Sequence, residues 1–317
     1  MRAASVGGGI GGLSVALALR LRGWQGSVFE QAPALTEVGA GLQISPNGWR
    51  VLDALGVAEP LAETVFEPEA IEMRLGLTGR RVFRLPMKGY AAQRWGAPFF
   101  HVHRADLVDA LAVRLETVAP GAVQTGRPVR GYTQAGEVLF KNGDAFAADL
   151  VIGADGLHSV IRRQMLGPQN PRYTGNIACR AVVPMKDLKI PPPPTACVWA
   201  GDKRHAVTTR LRAGALANFV GMVEQDEPAE EGWRIKGERR DALAAFEGWD
   251  DTIVGLIMAA PLLNRWALFD RAPLPRWHEG RGTLLGDAAH PMLPSMAQGA
   301  VQALEDAWVL ADVLDGA

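Results

Sequence analysis

The chain has 317 residues, with 33 Lys and Arg against 34 Asp and Glu, and a formal net charge of −1 gives no electrostatic reason to expect nucleic acid or an anionic membrane as a partner. A hydrophobic content of 48% and a mean hydropathy of +0.03 suit a globular chain of one large or two medium domains, and no apolar run is long enough to span a bilayer. The first residues meet a glycine cluster before a signal-peptide apolar region could form, so the default location is the cytoplasm.

Arg2 to Val6 reads as a short strand, although Arg2-Ala3-Ala4-Ser5 forms strands poorly. It turns through Gly7-x-Gly9-x-x-Gly12 into an apolar helix that Gly23 closes, and Ser27-Val28-Phe29 makes a second strand ending in the acid Glu30. The three glycines serve a tight turn, close approach of backbone to a pyrophosphate, and close packing of helix on strand. A diphosphate would sit on the free N–H groups at the helix start, where the dipole favours an anion. Glu30, 18 residues after Gly12, suits a carboxylate accepting hydrogen bonds from a ribose.

Val38-Gly39-Ala40-Gly41-Leu42-Gln43-Ile44-Ser45-Pro46-Asn47 follows, with glycines that permit backbone close to a flat ligand and with Asn47 as a cap for a helix from Trp49 to Leu55. Ile71 to Leu75 and Arg81 to Leu85 alternate in polarity as a hairpin would. Phe99 to His103 is a strand whose His101 and His103 share one face and read as packing residues, and Arg104 opens a helix to about Val118. Short strands between Gly126 and Phe146 are broken by the hairpin signal Asn142-Gly143. Asp149 to Gly156 is an apolar strand ending in Asp155, which either meets a ligand at the carboxyl edge of a parallel sheet or caps the next helix.

From Ile177 to Phe269 the chain turns to strands and loops, with a polyproline segment at Pro191 to Pro194 and a charged, solvated run from Glu224 to Arg240. Gly282 to Pro291 and Pro294 to Ala300 then repeat the order of strand, acid, glycine turn and helix start, with a last helix from about Val301 to Leu314. The order implies an α/β fold: a doubly wound, Rossmann-like domain of residues 1–70, 99–175 and 276–317, into which a β-rich domain of 71–98 and 176–275 is inserted. Cys179 and Cys197 form no C-x-x-C pair and read as reduced and buried. The six histidines show no ligand spacing, and no metal is expected.

Together these pieces resemble the single-component, group A FAD-dependent aromatic hydroxylases, the family of salicylate hydroxylase and its relatives. The resemblance rests on Gly7-x-Gly9-x-x-Gly12 with Glu30, Gly39 to Asn47, Arg104-x-x-Leu107, Gly153-Ala154-Asp155-Gly156 with Arg162, and Gly286 to Pro291 through Gln298-Gly299-Ala300. It implies an FAD site of Gly7, Gly9, Ile10, Gly11, Gly12, Glu30, Gly41, Leu42, Gln43, Arg104, Asp155, Asp287, Gly299 and Ala300. In that site Glu30 would hold the adenosine ribose, Arg104 the pyrophosphate region and Asp287 the ribityl chain, and the backbone at Gly299 and Ala300 would face the pyrimidine edge of the flavin. NADH or NADPH would serve as a transient co-substrate without a domain of its own.

The chemistry so implied is reduction of FAD by NAD(P)H, addition of O2 at flavin C4a, and attack of the hydroperoxide on an electron-rich ring, converting a hydroxybenzoate, salicylate or hydroxynicotinate type of substrate. His205 stands where relatives place a base for the substrate hydroxyl, and Pro294 matches the proline beside C4a; these two are the candidate catalytic residues. His290 reads as a residue that holds its turn. Arg180 and Arg210 are possible partners of a substrate carboxylate or ordinary surface arginines. Relatives continue past the last helix where this chain stops at Ala317, which bears on the covering of the flavin domain and on contacts between subunits; a monomer or homodimer is expected. Two rival readings keep the fold: a flavin-dependent reductase or oxidase, and a shortened FAD-binding protein without turnover.

Overall fold

The computed structural model describes residues 1–35, 41–225 and 235–316. β1 (Arg2–Val6), α1 (Ile10–Leu21) and β2 (Gln25–Phe29) stand where glycines and periodicity place them. β1 forms despite its weak local preference because it is an inner strand. It pairs in parallel with β2 on one side and with β11 (Leu150–Gly153) on the other, and Ala3, Ala4 and Ser5 are each no more than 2% exposed. Small side chains there let helices approach: a Cβ on Gly26 of β2 would stand 2.9 Å from the Ala16 carbonyl oxygen of α1. Burial on both faces, and not intrinsic propensity, selects this strand.

β3 (Gly41–Ile44) pairs antiparallel with β6 (Phe100–His103). Between them lie α2 (Pro46–Ala54), α3 (Ala58–Leu61), the hairpin of β4 (Ala70–Leu75) and β5 (Arg81–Pro86), and α4 (Tyr90–Trp95). α2 begins earlier than expected and corrects the capping assignment: Ser45 is its N-cap and Pro46 opens its first turn, where a missing N–H costs nothing. Asn47 instead accepts from the Ser45 hydroxyl at 2.5 Å and donates to Glu305 at 3.0 Å. α5 (Arg104–Val118) follows β6 directly, and β7 (Val123–Gln124) precedes the antiparallel meander of β8 (Val129–Tyr132), β9 (Glu137–Phe140) and β10 (Ala145–Ala147), turned at Gly143 with a φ of 95°. Beyond β11 comes α6 (Val160–Leu166).

β12 (Arg172–Pro184), β13 (Ala196–Gly201), β14 (Arg204–Leu211), β15 (Leu216–Glu224), β16 (Ile235–Lys236) and β17 (Asn264–Asp270) join the earlier hairpin in one sheet, ordered β16-β17-β12-β15-β14-β13-β4-β5. Its pairs are antiparallel except β13 with β4. α7 (Arg239–Ala245) and α8 (Asp251–Ala259) cover one face, where Trp199, Ala206 and Phe219 pack against Phe246, Trp249 and Ile253. On the other face Ile71 and Ala196 pack against Met87, Ala91 and Phe99.

β18 (His278–Glu279), β19 (Gly282–Leu284) and α9 (Gly299–Asp315) complete the first sheet, ordered β18-β19-β11-β1-β2-β7. α1, α5 and α9 share the core on one of its faces, and the β8–β10 meander packs with α6 on the other. Residues 38–40 of the second glycine stretch, 226–234 of the charged run and Ala317 lie outside the described residues. Cys179 and Cys197 are both free, and burial pushes their thiols up to about 11 and about 12. Among the described residues no helix is long and apolar enough to cross a membrane.

Phe246 is fully buried, with its ring edge-on to Phe219 at 5.8 Å and to Trp249 at 4.8 Å. Phe246→Ala is expected to cost about 3–5 kcal/mol of stability, read as a lowered denaturant midpoint in urea unfolding.

Candidate functional site

The first sheet determines where a ligand can go. β1 runs to Gly7, β2 to Glu30, β11 to Asp155 and β19 to Asp287, and because these strands are parallel all four carboxyl ends emerge along one edge. β1 leads through α1 to β2 on one side while β11 lies on its other side, so the edge includes a switch point, where open α/β sheets bind ligands. A cavity of about 660 Å³ opens there. It is lined by Gly7, Gly9, Ile10, Gly11 and Glu30, by Gly41, Leu42 and Gln43 of β3, and by Arg104, Asp155, Asp287, Pro294, Gly299 and Ala300. Of the expected cofactor residues only Gly12 stays out of the lining.

The glycines divide by what excludes a side chain. A Cβ on Gly7 would stand 2.4 Å from the Ala154 carbonyl oxygen, and Gly7 also has a φ of 108°; a Cβ on Gly12 would stand 1.9 Å from the Gly7 carbonyl oxygen. These two positions are closed by the protein itself. Gly9 has nothing within 4 Å of such a Cβ and an ordinary extended backbone, φ −80°. What a side chain at Gly9 would fill is the cavity, in front of the α1 amino terminus, which has no side-chain cap and no acid in its first turn. α9 likewise starts at the cavity without a side-chain cap or an acid, at Gly299 and Ala300. Two uncapped helix starts thus face one space, a donor set that suits a large anionic cofactor.

The carboxylates hold the frame as well as facing the cavity. Glu30 accepts from the backbone of Gly8 at 2.7 Å through Oε2 and from Ala32 at 2.8 Å through Oε1, leaving each oxygen a further lone pair. Asp155 accepts from the Ser159 hydroxyl and, at 2.7 Å, from the Val160 N–H, so it binds the start of α6, of which Ser159 is the N-cap. Asp155 thus ties the helix start, and it also lines the cavity. Burial raises its pKa, with the Ser159 and Val160 hydrogen bonds opposing. Asp287 is exposed at the cavity, and the protein around it raises its pKa by desolvation, against the pull of Arg104, His290 and Arg162. Arg162 donates to the Asp287 and Ala288 carbonyls, both at 3.0 Å. His290 meets Asp306 at 2.6 Å, and the same carboxylate oxygen accepts from the Gly286 N–H at 2.9 Å. His290 therefore fixes the turn to α9, the role read for it from the sequence.

The open face of the second sheet closes the cavity. Ile71 and Ala196 pair on β4 and β13, Val198, Val207 and Val220 run across β13, β14 and β15, and Thr209 pairs with Asn218. Asn218 donates to Thr209 at 3.2 Å and accepts from the Gly41 N–H at 3.2 Å, so it joins β15 to β3. Arg180 of β12 stands beside Val220, its guanidinium 5.1 Å over the Trp266 ring, and both line the cavity.

His205 lies on the same face of β14 as Val207, two residues beyond it, in a row with Met222, Ala178 and Trp266 of which only Trp266 reaches the cavity. The structure therefore does not bring His205 into the cavity wall. Arg210 is also elsewhere: it donates to the Pro192 carbonyl at 3.1 and 2.6 Å and pins the polyproline segment. Among the described residues no group of three or more His, Cys, Asp or Glu could hold a metal.

Residues 2–317 match the family model described as "FAD binding domain". The chain is 40% identical to 3-amino-4-hydroxybenzoate 2-monooxygenase of Streptomyces cremeus, over 99% of this chain and 79% of that protein. It is 36% identical to 6-hydroxynicotinate 3-monooxygenase of Pseudomonas fluorescens, over 99% of this chain and 82% of that one. Among solved structures, Klebsiella pneumoniae HpxO complexed with FAD and uric acid superposes with a TM-score of 0.86 at 29% identity, covering 100% of this chain and 80% of that one.

The glycine geometry separates two substitutions. Gly12→Ala is expected to destabilise the fold by on the order of 3 kcal/mol or more, because backbone must move to admit the methyl group. Gly9→Ala should leave apoprotein unfolding within about 1 kcal/mol of the parent and weaken FAD binding about tenfold or more, read by flavin fluorescence quenching. The Asp306 hydrogen bond raises the pKa of His290, so this pair stabilises the fold fully below about pH 6.5 and loses its effect as pH rises through the higher folded value. In Asp306→Asn the His290 pKa, followed by ring-proton NMR, should fall back towards about 6.5.

Proposed function

The chain belongs to the FAD-binding-domain family of flavoprotein aromatic hydroxylases, and from that premise we propose that it is an FAD-dependent, NAD(P)H-consuming monooxygenase acting on a small aromatic acid of the hydroxybenzoate, salicylate or hydroxynicotinate type. The observation that carries this reading is a single cavity whose one end is two uncapped helix starts and whose other end is an apolar sheet face. We take residues 1–70, 99–175 and 276–317 as the cofactor unit and 71–98 with 176–275 as the substrate unit.

Bound FAD supplies hydride acceptance from NADH or NADPH and the activation of dioxygen. The chain's own residues bind and orient. The α1 start and Arg104 receive the pyrophosphate, the free lone pairs of Glu30 accept from ribose hydroxyls, and Asp287 accepts from the ribityl chain. The α9 start at Gly299 and Ala300 offsets negative charge on a reduced ring.

Ile71, Val198, Val207 and Val220 exclude water from the ring of the substrate, Arg180 pairs with its carboxylate, and Thr209 with Asn218 meets its polar substituents. Pro294 lines the same cavity, and its carbonyl accepts from the Ala297 N–H at 3.0 Å. Burial lowers the pKa of His205, which keeps it neutral at pH 7 and able to accept a proton. Because it lies outside the cavity wall, about 7 Å along β14 from Val207, a role for it as base would need an intervening water.

The purified protein, titrated anaerobically with NADH or NADPH, tests this reading. Flavin absorbance should bleach much faster with one member of a panel of hydroxybenzoates and hydroxynicotinates, and aerobic turnover should yield the hydroxylated ring. Hydrogen peroxide in place of that product identifies a reductase or oxidase. A colourless protein that cannot be reconstituted with FAD overturns the reading. Arg180→Met should raise KM for the aromatic acid about 10- to 100-fold, the range set by one lost charge-assisted pair, with FAD content unchanged.

A further inference from the structure

Two thioethers stand on the cavity rim beside the α9 start. Met292 is 41% and Met296 78% exposed, and both line the cavity on either side of Pro294. The Met292 Cγ lies 3.7 Å from where a Cβ on Gly299 would be, so this side chain lies against the first residue of α9. Met258 is also well exposed, at 55%, but it belongs to α8 on the covered face of the second sheet, away from the cavity lining. The molecule thus contains its own control.

A thioether offers a lone pair to electrophilic oxygen without first losing a proton, whereas a phenol requires a base. We propose that Met292 and Met296 are sites of self-oxygenation, converted to methionine sulfoxide when the reduced cofactor meets dioxygen with no aromatic acid on the valine face. The balance is thioether plus O2 plus NAD(P)H plus a proton giving sulfoxide, water and NAD(P)+. One oxygen atom bonds to sulfur and the other leaves as water; sulfur and NAD(P)H each give up two electrons, and dioxygen takes up four. The inference rests on the monooxygenase reading. Its effect is to replace an apolar rim side chain by a polar one where an aromatic ring must pass, a change reversible by methionine sulfoxide reductases.

The test uses the holoenzyme with NADH or NADPH under isotopically heavy dioxygen, with catalase present to remove free peroxide. Cofactor oxidation is followed by absorbance, and the methionines by peptide mass spectrometry. Heavy oxygen at Met292 or Met296 about tenfold above that at Met258 is the expected result, as proximity requires. It should be lost without NAD(P)H and strongly reduced by a saturating aromatic acid that accelerates flavin reduction. NAD(P)H oxidation with Met292 and Met296 no more labelled than Met258 overturns the proposal and leaves the monooxygenase reading standing. An FAD-loaded protein that oxidises no NAD(P)H under any condition overturns both.

Discussion

A methyl group at Gly12 would stand 1.9 Å from the Gly7 carbonyl oxygen, and the rest of the site depends on that exclusion. Because no side chain intervenes, α1 starts directly above the end of β1, and its unbonded N–H groups point at the space beyond the sheet. The adjoining strand ends obey the same limit: Gly7 fits against Ala154, and a Cβ on Gly153 would stand 2.8 Å from Ile161. Close backbone packing sets the carboxyl edge, and the edge sets where charge can be bound.

Around that edge the polar side chains have two roles at once. Glu30 ties the loops at Gly8 and Ala32, Asp155 ties α6, and Asp306 with His290 ties the turn before α9, while the two acids at strand ends still face the cavity. Partial commitment of this kind suits groups that must already be oriented when a ligand arrives, since little rotamer freedom is left to lose. Asn218 extends the scheme across the gap between sheets through its contact with Gly41.

The half of this arrangement at the strand ends is legible in the sequence, and the half on the second sheet is not. Gly7, Gly9 and Gly12 announce themselves because turn, approach and packing each demand glycine at fixed spacing, and Asp155 and Asp287 because an acid ends an apolar strand. Arg180, Thr209, Asn218 and Trp266 meet only through the register of four different strands, and no spacing along the chain encodes that register. His205 illustrates the limit: the alternation of β14 gives its face correctly, but where the cavity ends along that strand depends on neighbouring strands. Asn47 departs from its expected capping role for a local reason, since Pro46 lets the helix begin sooner.

The pairing of β4 with β13 joins Ile71 to Ala196, and the cofactor edge joins Gly7 to Gly299. During synthesis the hairpin of β4 and β5 must wait for β13, and the α1 start lacks its second helix until almost all of these residues have emerged. Such distant contacts make for slow folding with apolar strands transiently uncovered.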